Sequence, residues 1–341
     1  MQIIHLIPNL KNGGAENVLV NLSNKIFQFD VEQCIFTFEN SKEDLNYLKL
    51  NRTVSVFSLS EKKDQLYQIL SNNPKAIVIC WLYKTFFFYE LFSKKNTLKN
   101  KYYWNIRHSD FGVFQIRQKF FLFLIGIYSN FSHCKLIYCS QKSKEVHNRF
   151  FFKTKNSIVI PNRLAKTPPN KFKSIKEKHF ILFIGRNHPQ KNPIFLKKIF
   201  HYVESNYNNI KLVILGKGWT KDYFKPRRDS IMIYEQKENV FDYLYQAKCL
   251  VYTSKFGEGY PNVVAEAMSV GTPIIGFDTG DYKIMTKDYK NAKTVYNETE
   301  FLNELDKKIN SKSKNSDFDN KESYLKELDF NLTVKQYLNL I

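Results

Sequence analysis

Nowhere in these 341 residues does an uninterrupted apolar run reach the thickness of a bilayer. The longest, FFLFLIGIY from Phe120 to Tyr128, is less than half the ~20 residues a spanning helix needs. Cysteine is sparse as well. Cys34, Cys80, Cys134, Cys139 and Cys249 form no C-x-x-C pair and leave an odd one over. That pattern argues against a disulfide framework or a cysteine zinc site and suits a reducing compartment. The opening MQIIHLIPNL lacks a basic leader and reads as a first strand, so no signal peptide is expected. The N-x-S/T matches at Asn21 and Asn331 are read as chance in an Asn-rich chain. A soluble, cytoplasmic protein is expected, at most peripheral to a membrane. The chain also contains no HExxH, no G-x-S-x-G and no G-x-x-x-x-G-K-[ST], which argues against zinc proteases, α/β-hydrolases and P-loop NTPases.

Acid is in short supply: 32 Asp and Glu face 52 Lys and Arg, a net charge of +20. Such a balance favours anionic partners, namely nucleotide phosphates, nucleic acid or an anionic lipid surface. Coding bias towards Lys, Asn, Ile and Phe is the bland alternative. No recognisable nucleic-acid module accompanies the charge, so nucleic acid is not expected as a partner. Hydrophobic residues make up 43% of the chain, ample for packed cores, and the length suggests two domains.

What is plentiful is alternation. The runs IIHLIP (3–8), CIFTF (34–38), VSVFSL (54–59), AIVICWL (76–82), YYWNIR (102–107) and KLIYCS (135–140) are separated by helical patterns. A polar, proline-bearing stretch at 166–178 reads as a linker. The alternation then restarts with FILFIG (180–185), KLVILG (211–216), SIMIY (230–234), CLVYTS (249–254) and TPIIGF (272–277). Apolar strands alternating with helices predict two doubly wound parallel-sheet α/β domains, with ligand at the C-terminal strand ends facing a cleft. The expected division is 1–165, a linker at 166–178, a second domain at 179–325 and a terminal segment at 326–341. Residues 308–323 read as a solvated loop. Apolar residues at helical spacing from Leu332 to Ile341 predict a helix that packs back across the domain junction.

The stretch FGEGYPNVVAEAMSVGTPIIGFD places Glu258 and Glu266 on either side of a Gly-Tyr-Pro turn. CLVYTS reads as a strand, KFGEGY as a tight turn and Pro261–Val270 as a helix, with proline at its first position and Gly271 past its end. Val263, Val264, Ala267 and Met268 form its apolar face, leaving Asn262 and Glu266 on the other. The free N–H groups and positive dipole end at the start of that helix suit a phosphate. Glu258 before it and Glu266 inside it would accept hydrogen bonds from ligand hydroxyls. Two bland alternatives stand beside this: Glu258 as an acid favoured by the dipole, and Glu266 as an ordinary solvated helical acid.

This segment resembles the E-x7-E donor region of retaining glycosyltransferase family 4, which has the GT-B fold. FIGRNHPQKN (183–192), KLVILGKG (211–218), IPNLKNGGAENVLVNL (7–22) and LIYCSQKSKEV with IVIPNR (136–163) are similar to further family segments, in the family's order. The resemblance covers nearly the whole chain. It implies two Rossmann-like domains facing a central cleft, the N-terminal one for acceptor and the C-terminal one for donor. By that likeness, Glu266 would bind the ribose of a UDP- or GDP-linked sugar and Glu258 the sugar hydroxyls. The backbone of Gly259, Tyr260, Pro261, Asn262 and Val263 would lie near the sugar and diphosphate, and Gly216 also near the substrate. Arg186 and Lys191 would bind the diphosphate and stabilise its departure without a metal or other cofactor. Gly13 and Gly14, at the first strand-to-helix turn, would let backbone approach a phosphate or acceptor; a simple turn is the alternative. Glu16 reads as a favourable first-turn acid. His108 is similar to a histidine many members carry near the reacting sugar, with a purely structural role as its alternative.

Two departures stand out. The family's Asn-Gly after Ile-Pro is Asn162-Arg163 here, and its GG-x-x-E appears as TGDYKIM (279–285), keeping only Gly280. The Asp-Phe-Asp string at 317–319 matches a metal motif of another transferase fold but lacks a preceding strand. The segment 101–128 mixes basic and aromatic residues and is either a core helix or a surface for anionic lipid. The expected function is retaining sugar transfer from a nucleotide-diphospho-sugar to a glycan, lipid-linked in capsule or O-antigen fashion. An epimerase-like reaction on nucleotide sugars, or noncatalytic nucleotide or glycan binding, are the competing readings.

Overall fold

The computed structural model describes residues 1–11, 13–109, 116–226, 229–235, 239–311 and 321–341. The Asp-Phe-Asp string at 317–319 lies outside the described residues. The chain divides into two compact units, the first of Met1–Ser109, Gln115–Ala165 and Phe330–Ile341, the second built on Lys166–Asp329.

In the first unit the strands are β1 (Gln2–Ile7), β2 (Glu32–Thr37), β3 (Ser55–Ser58), β4 (Ile77–Trp81), β5 (Tyr102–Ile106), β6 (Lys135–Tyr138) and β7 (Ser157–Val159). They form one sheet in the order β3-β2-β1-β4-β5-β6-β7, every pairing parallel. The helices are α1 (Gly14–Ile26), α2 (Leu59–Asn72), α3 (Tyr83–Lys95), α4 (Ile116–Phe131) and α5 (Gln141–Arg149). In the second unit β8 (Phe180–Ile184), β9 (Lys211–Leu215), β10 (Ile231–Tyr234), β11 (Leu250–Tyr252), β12 (Ile274–Phe277) and β13 (Ala292–Val295) form a sheet in the order β10-β9-β8-β11-β12-β13, again parallel. Its helices are α6 (Pro193–Asn206), α7 (Lys221–Phe224), α8 (Val240–Gln246), α9 (Asn262–Ser269), α10 (Tyr282–Thr286), α11 (Glu298–Asn310) and α12 (Lys321–Glu327). The last helix, α13 (Phe330–Leu338), belongs to the first unit.

Each sheet reverses its strand order once, between β1 and β4 and between β8 and β11. Loops leaving the C-terminal ends of two such strands diverge to opposite faces and leave a crevice. The central strands are buried on both sides, with Ile3, Ile4, Val78 and Ile79 in one unit and Ile181, Leu182, Val213 and Ile214 in the other at 0% exposure. The expectation named neither β7 nor β13 as a strand. Both are short edge strands with partly exposed side chains, so they lack the continuous apolar run that marks an interior strand.

Residues 166–178 lie against the second unit. Lys173 N donates to Asp242 Oδ1 (2.8 Å), Gln246 Nε2 donates to Lys173 O (2.8 Å), and Phe172 stacks on Tyr245 at 4.0 Å. Residues 308–310, expected in a loop, end α11 instead. Helix α13 sends Phe330, Val334 and Tyr337 into the first unit's core beside Ile3, Val20 and Trp81. It is held by Arg163, whose guanidinium donates to Gln336 Oε1 (2.9 Å) and Thr333 Oγ1 (3.3 Å). Arg163 has φ +47°, the left-handed conformation that a glycine adopts without strain. Arginine holds this turn and adds a side-chain clamp on α13.

Candidate functional site

In the second unit the expected donor residues gather at the β8/β11 crevice. Strand β8 ends in Ile184, and Gly185 and Arg186 follow. The turn after β9 presses against them: a Cβ on Gly216 would fall 2.0 Å from Gly185 O, so only glycine fits. Trp219 Nε1 donates to the same carbonyl (2.8 Å), and Asn187 N donates to Lys217 O (2.9 Å). Gly216 thus packs backbone on backbone, and the stapled turns leave the Arg186 side chain exposed.

Beyond β11, the loop to α9 carries Glu258. Its Oε1 lies 2.6 Å from Lys191 Nζ and accepts from Ser254 Oγ at 2.9 Å. Both members of the ion pair are largely buried, with side-chain exposures of 19% and 12%. The main chain is tied alongside, as Thr253 Oγ1 donates to Lys191 O (2.6 Å) and Lys255 N to Gln190 O (2.9 Å). Burial and the charges of Arg186 and Lys191 push the neighbouring His188 imidazole below its usual pKa. Arg186 and Lys191 thus bring two cations to one corner, as an anion site requires.

The retained Gly280 supports this loop from behind. It has φ +61°, a Cβ there would come within 2.5 Å of Gly259 O, and Asp281 N donates to that carbonyl at 2.9 Å. Thr279 Oγ1 donates to Ser254 O (2.7 Å). Helix α9 begins at Asn262, with Pro261 as its N-cap rather than its first residue. The difference follows from the extended ψ of 95° at Pro261; no side chain caps the terminus, and Val264 N and Ala265 N donate to Pro261 O, which leaves the N–H groups of Asn262 and Val263 without a capping side chain. Gly271, at φ +78°, follows the helix as its sequence position suggests.

Glu266 sits four residues into the helix with partial solvent access. Loss of water among crowding atoms pushes its carboxyl up to about 7, against the opposing charge of Lys166. Among the described residues no hydrogen-bond partner reaches that carboxyl. It is therefore poised to accept hydroxyl donors of a ligand. Glu258, Lys191, Arg186, Gly259–Val263, Glu266 and Gly216 all lie on loops or the helix leaving β8, β9 and β11.

The remaining expected residues belong to the first unit. Gly13 is the N-cap of α1, and Gly14 its first residue. Glu16 folds back so that its Oε2 would lie 2.2 Å from a Cβ on Gly13, whereas a Cβ on Gly14 meets nothing within 4 Å. An acid three residues past the N-cap fits the helix end electrostatically.

His108 follows β5 and joins a group that the sequence reading did not single out. Tyr83 OH lies 2.7 Å from His147 Nε2 and 3.3 Å from His108 Nε2, and His147 Nδ1 lies 2.7 Å from Ser143 O. Burial lowers His108 to about 4 and His147 to about 3, so both rings are neutral at pH 7. A carbonyl can only accept, so His147 carries its proton on Nδ1 and leaves Nε2 bare. Tyr83 then donates to His147, and its oxygen accepts from His108 Nε2–H. The chain of bonds fixes His108 with Nδ1 as acceptor. Tyr83 stands next to Leu82, whose φ of 70° with ψ of 154° is a conformation non-glycine residues strongly avoid. Leu82 lies at the end of β4, on the β1/β4 reversal. Backbone strain leaves no sequence signature, which is why this corner was missed.

Residues 166–323 match the family described as glycosyl transferases group 1. The chain is 30% identical over 169 residues to an uncharacterized glycosyltransferase of Methanocaldococcus jannaschii, a match spanning 44% of this chain and only 41% of that one. It is 27% identical over 288 residues, 79% of this chain and 77% of the other, to a Campylobacter jejuni α-1,4-N-acetyl-D-galactosaminyltransferase named for an undecaprenol-diphosphate-linked acceptor. Among solved structures, Anabaena HepE in complex with UDP superposes with a TM-score of 0.78 at 14% identity, covering 100% of this chain and 99% of that one. The fold is GT-B, and the matches support a glycosyltransferase.

Proposed function

We propose that the protein is a retaining, metal-independent glycosyltransferase of family 4. It would transfer a sugar from a nucleotide-diphospho-sugar to a glycan acceptor, lipid-linked, in surface polysaccharide assembly. The second unit would hold the donor and the first the acceptor. The observation that carries this reading is the Lys191–Glu258 pair at 2.6 Å, set at the mouth of α9 with Arg186 and Glu266 around the same strand reversal. Two cations and a helix N-terminus in one place suit a diphosphate, and two acids beside them suit hydroxyls.

In this mechanism Lys191, Arg186 and the α9 N–H groups stabilise charge growing on the departing diphosphate. Glu258 orients the sugar, and Glu266 the ribose. The bond between the anomeric carbon and the diphosphate oxygen breaks. The acceptor hydroxyl attacks from the same face, its proton passing to the departing phosphate oxygen. His108, neutral at pH 7, would serve near the reacting sugar without supplying a proton. The Campylobacter relative's undecaprenol-linked acceptor supports a lipid-linked acceptor for this chain too.

A thermal-shift screen of UDP-, GDP- and ADP-sugars tests donor binding, since a site-specific ligand raises Tm by mass action. Incubation of the stabilising donor with extracted lipid-linked glycans, with and without a chelator, then tests transfer. A product that keeps the donor's anomeric configuration, formed in chelator, is expected. Conversion of the donor to another sugar nucleotide without acceptor would replace this reading with an epimerase, and no stabilisation by any donor would end it.

A further inference from the structure

Helix α4 has apolar residues on two sides. Its inner side chains Leu122 and Ile125 are buried in the first unit. Its outward face carries Ile116, Phe120, Leu124, Ile127 and Phe131, spaced by four, four, three and four residues, so at 3.6 residues per turn they line one stripe. Ile116, Phe120 and Phe131 are 74%, 62% and 78% exposed. A surface helix ordinarily turns its polar residues outward; here an apolar stripe faces solvent from Ile116 to Phe131. Phe151 extends the stripe. It is exposed, packs edge-on against Phe123 at 5.5 Å, and accepts from Asn130 Nδ2 at 2.8 Å through its carbonyl. On the neighbouring α3, Leu91 is likewise exposed, between Phe87, which meets Phe121 at 5.8 Å, and Lys94, which donates to Tyr128 OH at 3.0 Å.

Basic side chains rim this apolar face: Arg117 and Lys119 on α4, Lys94 and Lys95 on α3. The only acid on either helix is Glu90, which is buried and bonded by Tyr102 and Ser132. We propose that the outward face of α4 docks on an anionic lipid bilayer, lying in its interface with the basic rim against the headgroups. Apolar side chains in the centre with lysine and arginine at the edge are the composition such interfacial helices share. A second copy is the less suitable occupant, because two basic rims would be brought together. Among the described residues no helix is long and apolar enough to cross a membrane, which leaves an in-plane arrangement. The sequence offered core helix or lipid surface for this segment; the inner face of α4 is core, and the outer face is the one proposed for lipid. The inference deepens the lipid-linked acceptor reading, since it places the acceptor-binding unit where such a substrate resides.

Flotation of the full chain with vesicles tests it. The protein is expected to float with phosphatidylcholine–phosphatidylglycerol vesicles, to stay behind with phosphatidylcholine alone, and to release in high salt. The double variant F120S/F131S should lose roughly tenfold or more in partitioning, and K95E/R117E several-fold. Both pairs are exposed, so Tm and donor-induced stabilisation should match wild type, a control that reads donor binding in the absence of lipid. Wild-type protein that ignores anionic vesicles, or F120S/F131S that floats undiminished, overturns the proposal. So does a dimer that F120S/F131S converts to monomer without any vesicle binding, which would assign the face to a second copy. Failure here with donor binding intact leaves the glycosyltransferase reading standing.

Discussion

Lys191 and Glu258, 67 residues apart in sequence, meet at 2.6 Å, with Ser254 Oγ on the same carboxylate oxygen. The pair joins the loop after β8 to the loop after β11, so cation and acid hold each other in position before any ligand arrives. Glu258→Ala should abolish sugar transfer. Lys191→Ala should weaken nucleoside diphosphate binding and, by removing the cation from a largely buried carboxylate, lower stability by about 2 kcal/mol. A double-mutant cycle read by denaturant unfolding should show strong coupling; additive losses would dissolve the pair as a unit.

Arg186 is a different kind of cation. It is exposed and makes no ion pair among the described residues, so Arg186→Ala should leave Tm unchanged while weakening nucleoside diphosphate affinity roughly tenfold. Calorimetry that finds equal affinity contradicts its role.

Glu266 predicts a pH dependence. Its carboxyl is raised from 4.5 to about 7, so between those values the native state binds more protons than the unfolded one. Its contribution to stability therefore falls as pH rises through that window. Ligand hydroxyls favour the ionised carboxylate, so nucleotide affinity should do the opposite and rise with pH towards and above about 7. Glu266→Gln should flatten both profiles, as read by thermal melts and calorimetry across the range. A profile identical to wild type would remove Glu266 from the ligand.

Tyr83→Phe removes the hydroxyl that links His147 to His108. The expected result is loss of the fixed His108 tautomer, visible in its ring 15N shifts, with kcat reduced and donor affinity intact. An unchanged 15N signature would show that other contacts set the tautomer.

Gly280→Ala places a Cβ within 2.5 Å of Gly259 O at a φ of +61°. Strain of about 1–3 kcal/mol is expected, together with weaker donor binding as the Glu258 loop moves. A stable variant with wild-type donor affinity would mean that the TGDYKIM segment does not support the site.

Much of the fold was legible, because interior parallel strands are written as unbroken apolar runs such as FILFI and IVICW. The edge strands SIV and AKTV were not, since half-exposed strands carry no such run. The corner proposed for the donor could be read because Glu258, Glu266, Arg186 and Lys191 each follow a recognisable strand or lie on its helix. The direct Lys191–Glu258 bond could not, because spacing along the chain says nothing of which side chains meet. The Tyr83–His108–His147 group was hidden for a related reason: its members come from three separate segments, beside a strained Leu82 that looks ordinary in sequence. The outward stripe of α4 needed coordinates too, since its apolar run reads the same whether it faces protein or solvent.

The last helix contributes Phe330, Val334 and Tyr337 to the core of the first unit, and Tyr337 OH accepts from Asn105 Nδ2, 232 residues upstream. A ribosome making this chain thus finishes every strand of the second unit before the first can seal its interior. Order of synthesis and order of completion run in opposite directions, and a nascent chain stalled short of Phe330 presents Trp81 without the tyrosine that stacks on it. Emergence of Phe330–Leu338 is then the moment at which the first unit becomes whole.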